Sequence, residues 1–212
     1  MTEARDDSTV DGLRAQEASR AAESIGLTPL LEAALDAFAD GGYHGTSVRD
    51  IAERAGVTPP VLYYHHQNKH GVLEALLNHS IDHLVSACEE AVDAPHDSVS
   101  SEFKDLIRAI TTFMIDAGKL AQLNTEVRFL TPSARTTYSG KRRRVARILT
   151  ECIERGNKSG ELDASYPRES ARALLGMIQA IPRWLQPTGS LTTEEIANRY
   201  LEISCKLVGL RT

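Results

Sequence analysis

The stretch TSVRDIAERAGVTPPVLYYHHQNK, residues 46–69, decides how the rest of the chain is read. Thr46 or Ser47 is placed to cap a short helix that carries Val48, Ile51, Ala52 and Ala55 at helical spacing, and Gly56 closes it. Thr58 caps a second short helix with Pro59 at its first position, where a missing N–H has no intrahelical partner to lose. Pro60 is tolerated in the same turn, and Val61, Leu62 and Tyr64 follow. The link Gly56-Val57-Thr58 has the length and glycine content that let two helices meet at a steep angle, as in a helix-turn-helix. A reader of duplex DNA needs the second helix short and its start unobstructed, so that side chains there reach base edges in the major groove.

In that geometry Thr58, Pro59, Pro60 and Tyr63 stand at the reading end. The prolines offer apolar bulk to a thymine methyl, while Tyr63, Tyr64 and His65 offer hydrogen bonds to phosphates. Backbone N–H groups at Thr46 and Ser47, and at a further helix opened by Asn68 and Lys69, are placed for phosphate as well. Lys69 adds a charge, and Arg49 reaches backbone or base. The same pattern also fits an ordinary αα-corner whose tyrosines pack inward and keep a wet hydroxyl.

Outward from this stretch the apolar spacing stays helical. Thr28 and Pro29 open a helix carrying Leu30, Leu31, Ala34, Leu35 and Phe38, which ends at Gly41-Gly42. After Asn68, the positions Val72, Leu73, Leu76, Leu77, Ile81, Leu84 and Val85 run to about Val92, before a break at Asp93-Ala94-Pro95. Further helices are expected at about 101–117, 120–130, 133–157, 168–185 and 192–208, punctuated by Pro132, Gly160, Pro167, Pro187 and Gly189. No strand-like alternation and no hairpin dipeptide intervenes, so the fold class is all-α. Residues 1–27 are polar and weakly patterned, which predicts a flexible extension.

Composition excludes several functions. The chain of 212 residues can bury a sizeable core without staples, and its three cysteines, Cys88, Cys152 and Cys205, lie too far apart for a metal or redox motif. They read as reduced thiols of a cytoplasmic protein. The N-terminus has no apolar h-region, and no apolar run approaches the ~18 residues of a membrane span. The net charge of −5 hides a lopsided distribution: residues 1–40 carry nine acids against three bases, and residues 138–158 seven bases against two acids. No phosphate-binding loop, nucleophile elbow or paired acid and nucleophile motif occurs, so neither an enzyme nor a cofactor is indicated.

The run from Leu30 to Leu73 closely resembles the N-terminal domain of TetR-family transcriptional regulators. It has Phe38 in the first helix, the Gly42-Tyr43 turn, the Thr46-Ser47 pair, Ile51 to Val57 as I-A-x-x-A-G-V, the Leu62-Tyr63 pair, and Lys69 opening the fourth helix. Two positions depart from the family pattern: His66 stands where a large apolar residue is usual, and His70 follows Lys69 in place of an acid. The resemblance implies a helix-turn-helix domain over 28–72 and a larger helical ligand-binding and dimerisation domain over 73–212. It also implies a homodimeric repressor that binds a palindromic DNA operator and is released by a small-molecule effector.

Pro167 to Tyr200 resembles the last two helices of a TetR subgroup of repressors of lipid and steroid catabolism, some of which respond to acyl-CoA thioesters. That implies a dimer interface containing Leu174, Leu175, Ile178, Ile196, Tyr200 and Ile203. A kink at Pro182 would open a cavity, with Phe103, Ile107, Ile110, Met114, Val145, Leu149 and Trp184 as an apolar lining that could equally be plain core. The basic run Lys141-Arg142-Arg143-Arg144, with Arg147 and Arg128, is a solvated helix face, an anion clamp for CoA phosphates, or an extra DNA contact. Histidine pairs at i, i+4, His66/His70 and His79/His83, leave a metal-responsive regulator as an alternative. A regulator of efflux or another pathway, sensing a non-CoA hydrophobic compound, is a further one.

Overall fold

A computed structural model describes residues 26–185 and 191–210. The expected extension over 1–27 therefore lies outside the described residues except for Gly26 and Leu27, as do the punctuating Pro187 and Gly189.

The described residues form helices and turns without a strand. α1 (Pro29–Gly45) starts at the Thr28 cap, whose hydroxyl accepts from Leu31 N. It runs past the expected stop because the chain kinks at Gly42 (φ 68°, ψ 166°) and resumes a turn through Tyr43. Only glycine takes that backbone without strain. α2 (Val48–Arg54) is closed by Gly56 at φ 66°, and α3 (Pro59–His66) by Gln67 at φ 59°. α4 (Lys69–Asp93) follows at once, with Asn68 Oδ1 accepting from Gly71 N at 2.9 Å. A Cβ at Gly71 would run into the carbonyl oxygen of His66, so the turn between α3 and α4 closes tightly.

The rest is a bundle. α5 (Val99–Asp116) and α7 (Pro132–Ser159) pack against α4, α8 (Pro167–Gln179) against α7, and α10 (Thr193–Leu207) against α5. The expected helix at 120–130 is instead a short α6 (Gly118–Gln122) followed by a 3-10 segment, Leu123–Phe129. The expected helix at 168–185 breaks at Ala180 into α8 and the single turn α9 (Ile181–Trp184), because Pro182 lacks the N–H that would continue it.

One continuous core joins both ends of the chain, from Leu31, Phe38 and Leu62 through Leu73 and Leu77 to Phe103, Leu149 and Ile178. α4 crosses the expected division at residue 72, so the N-terminal helices are fastened to the bundle by a helix and not by a linker. Among the described residues no helix is long and apolar enough to cross a membrane.

Candidate functional site

α3 is held by one apolar anchor. Leu62 is fully buried, while Pro60, Val61, Tyr63, Tyr64 and His65 face outward, with Tyr64 at 85% exposure. Exposed aromatic side chains in series on a helix of eight residues are costly to leave in water without a partner, which marks this face as a contact surface. Thr58, Arg49 and Ser47 are exposed beside it and Pro59 is partly so. Thr58 starts α3 without a side-chain cap bond. His66 is half-buried, and burial together with the neighbouring His65 holds its imidazole below its usual pKa, favouring the neutral ring.

Three residues expected to meet phosphate also have partners inside the protein. Thr46 is buried, and its hydroxyl, shared between Ala37 O (2.8 Å) and Gly42 O (2.9 Å), staples the α1 kink and is not offered to a phosphate. Ser47 forms a capping box: its N–H donates to Asp50 Oδ2 (2.7 Å) and its Oγ accepts from Asp50 N (3.2 Å). The Asp50 carboxylate thus already occupies the α2 N-terminus that was expected to receive phosphate. Lys69 Nζ donates to Tyr43 O and Thr46 O, each at 2.7 Å, and stands 4.5 Å over the Tyr43 ring. It is a latch between the end of α1 and the start of α4, with one N–H left over for other partners.

Tyr43 lies at the centre of an aromatic junction between the N-terminal helices and the bundle. Its ring stacks on Phe129 and packs near Phe38 and His70, and His44 meets Phe129 edge-on at 4.4 Å. Burial raises the pKa of the Tyr43 phenol, whose hydroxyl has no hydrogen-bond partner among the described residues.

In the bundle the residues expected to line an apolar pocket lie in the core. Phe103, Ile107, Ile110, Met114, Val145 and Leu149 are buried in the shared core, and none of them lines the two clefts around Arg142 and around Arg144. Trp184 is half-exposed and stacks on Tyr200, with ring centroids 6.2 Å apart, because the turn at Pro182 carries it to the rim of the bundle. The expected anion clamp does not assemble either. Arg128 is exposed and stacks over Phe129, Arg144 pairs with Glu89 at 3.0 Å, and Arg147 points to solvent.

A cleft of about 410 Å³ opens elsewhere, between α6, the 3-10 segment, α7, α8 and α9. Its polar walls are Gln122, Asn124, Thr125, Arg142, Gln179 and Arg183. Sequence reasoning passed over Asp50, Phe129 and Arg183. The S-x-x-D spacing at Ser47 was a legible signal for the first, whereas nothing local marked the other two.

The expected dimer residues are also rearranged. Leu174, Leu175, Ile178 and Ile196 are buried inside the protomer against its own α5 and α7, leaving little surface for a partner. The exposed positions of α8 and α10 include Arg172, Ala173, Gly176, Ile203 and Leu207, with the half-buried Tyr200 at their edge and the charged Arg199, Glu202 and Lys206 beside them. The histidine pairs gather no further ligands: no group of three or more His, Cys, Asp or Glu side chains is arranged for a metal ion among the described residues. Cys88 and Cys152 are fully buried, and burial pushes each thiol up to about 12, which removes them as nucleophiles.

Comparison with known proteins agrees with this geometry. Residues 30–76 match the family "Bacterial regulatory proteins, tetR family", and residues 66–208 match "Tetracyclin repressor-like, C-terminal domain". The HTH-type transcriptional repressor KstR2 of Rhodococcus jostii (strain RHA1) is 31% identical over 183 residues, covering 83% of this chain and 87% of that protein. A solved regulatory protein of the tetR family from Rhodococcus RHA1 superposes with a TM-score of 0.81 at 25% identity, covering 87% of this chain and 97% of that one. AibR in complex with isovaleryl coenzyme A and operator DNA superposes with a TM-score of 0.75 at 25% identity, covering 86% and 97%. With its helix-turn-helix inside the first family match and most of its length inside the second, this chain is a member of the TetR family of bacterial regulatory proteins.

Proposed function

We propose that this protein is a transcriptional repressor that binds a palindromic DNA operator as a homodimer and releases it when an acyl-CoA thioester occupies the C-terminal bundle. The observation that carries the DNA-binding half is the outward face of α3, with Pro60, Tyr63, Tyr64 and His65 exposed around a single buried anchor, Leu62. Within it, Pro60 and Tyr63 meet base edges or the thymine methyl, and Tyr64, His65 and Arg49 meet phosphates. The dimer is supported by an apolar stripe on α10, Tyr200, Ile203 and Leu207, beside the small residues Ala173 and Gly176 of α8 that permit close approach. The effector half rests on likeness to KstR2, named a repressor, and to AibR, solved with isovaleryl coenzyme A and operator DNA.

Selection of bound duplexes from a random pool tests the reading. The expected product is a two-fold symmetric site bound by two protomers, with affinity falling steeply as salt rises, and released by a thioester from an acyl-CoA panel. Selection that enriches no symmetric sequence would end the DNA-binding half, and an operator complex indifferent to every thioester would end the effector half.

A further inference from the structure

The cleft beside α9 has an unusual charge state for its surroundings. The α7 cations that face other helices of the bundle are matched by carboxylates: Lys141 with Asp82 at 2.7 Å, Arg144 with Glu89, and Arg155 with Glu102. Arg142 is the exception on the cleft side. Its guanidinium donates only to a neutral amide, Gln179 Oε1, at 3.1 Å, and it has no acid partner among the described residues. Across the cleft Arg183, on the single turn α9, likewise has none.

The rest of the wall favours an anion. Tyr138 donates its hydroxyl to Asn124 Oδ1, which leaves the Asn124 amide N–H groups as donors. Gln122 Nε2 donates to Pro182 O at 2.8 Å, fixing α6 to α9 across the cleft. Glu126, beside the wall, accepts from Thr125 Oγ1 at 3.1 Å and lies 3.7 Å from Arg128, so its charge is offset. Two guanidinium groups without carboxylate partners in a concave polar site are the arrangement that recognises phosphate oxygens. The volume, about 410 Å³, falls among small-molecule sites, roughly 300–1,000 Å³. Its polar walls suit the charged end of a ligand and not an apolar chain.

We propose that this cleft holds the phosphate groups of the effector, with Arg142 and Arg183 as the charged donors and Asn124 as a neutral one. The assignment rests on the acyl-CoA reading above and places its anionic end on residues different from Arg128, Arg144 and Arg147. One wall of the cleft, the 3-10 segment that contains Asn124 and Thr125, ends at Phe129 against Tyr43. Occupancy of the cleft therefore acts on the segment that touches the DNA-binding helices.

The test is titration calorimetry of the full-length protein with CoA, an acyl-CoA panel, the matching free acids and inorganic phosphate. Wild type is compared with Arg142→Gln, Arg183→Gln and, as a control of equal charge loss outside the cleft, Lys141→Gln. Expected is binding of CoA and at least one thioester, weakened about tenfold or more in each arginine variant, as loss of a charge-assisted hydrogen bond predicts. The Lys141 variant should keep wild-type affinity, inorganic phosphate should compete, and circular dichroism should confirm that all three variants are folded. Thioester binding and operator release left unchanged in both arginine variants would overturn the site while leaving the effector reading intact. Absence of any thioester or CoA response in the wild type would overturn both. A free acid that binds with the same arginine dependence would show a carboxylate site and overturn the phosphate assignment.

Discussion

The ring of Tyr43 lies parallel to that of Phe129, with centroids 4.8 Å apart and planes inclined by 15°, and this stack is where the last turn of α1 meets the 3-10 segment of the bundle. Aromatic pairs of this kind contribute about 0.5–1.5 kcal/mol beyond their buried area. The stack links one wall of the proposed effector cleft to the DNA-binding helices, as the Lys119–Asp36 ion pair (2.8 Å) between α6 and α1 links another. Phe129→Leu keeps apolar bulk and removes the stacking. Operator affinity without effector should stay within about twofold, while the thioester concentration for half-release should rise about fivefold or more, the low end of ordinary allosteric coupling. Fluorescence anisotropy of labelled operator reads both numbers, and an unshifted release curve would move the coupling to another contact.

The Tyr43 hydroxyl is buried without a partner among the described residues, a situation that costs about 1–3 kcal/mol. Tyr43→Phe removes the stranded group and keeps the stack. The variant should unfold at a higher Tm than wild type in the absence of DNA and effector. A lower Tm would mean that the hydroxyl has a partner, such as a bound water.

Exposed and latched residues around α3 should respond in opposite ways. Tyr64→Ala alters a side chain that is 85% exposed, so stability should stay within about 0.5 kcal/mol of wild type while operator affinity falls about tenfold. Lys69→Met removes two hydrogen bonds to backbone carbonyls and should cost about 1.5–3 kcal/mol of stability, read as a lower Tm of the free protein. Equal Tm values for Lys69→Met and wild type would return Lys69 to the role of a simple phosphate contact.

Glu161 supplies a pH dependence. Its carboxylate accepts from Ser100 N (2.8 Å), Val99 N (3.3 Å) and Ser159 Oγ (2.8 Å), capping the start of α5. The hydrogen bonds from Ser100, first among these partners, hold its pKa at about 2, below the ordinary 4.5. A folded-state pKa lowered in this way means that the stabilisation is fully present above about pH 4.5 and disappears as pH falls through about 2. Glu161→Gln should therefore lie below wild type in Tm at pH 6 and converge with it toward pH 2. Curves that run parallel over that window would show that Glu161 contributes nothing to the acid transition.

Much of the fold was legible because its punctuation is local. Thr28, Ser47, Asn68 and Pro132 open their helices, and Gly56 and Gly160 close theirs, as propensity and capping require. The resemblance carried by residues 30–73 located the helix-turn-helix, and the kink expected at Pro182 is present as a full break. What stayed hidden depends on tertiary partners. Whether Lys69 faces a phosphate or the carbonyls of Tyr43 and Thr46 is set by how α1 ends at Gly42, which no spacing encodes. Leu174 and Ile178 carry an apolar signal that cannot say whether the neighbour is the same chain or a second copy; here the protomer's own helices cover them. Among the arginines of α7, charge alone does not distinguish Arg144, opposite Glu89, from Arg142, opposite an amide.

The tight turn at Gly71 has a mechanical consequence. Because the carbonyl of His66 leaves no room there for even a methyl group, α3 has little freedom to slide against the first turn of α4 and travels with it. α4 has 25 residues, so at 1.5 Å per residue it is a lever roughly 37 Å long. A tilt of about 5° about its far end swings the tip by about 3 Å, the length of one hydrogen bond. A tilt of that size, started by a displacement in the bundle, would carry the face of α3 out of register with a DNA groove.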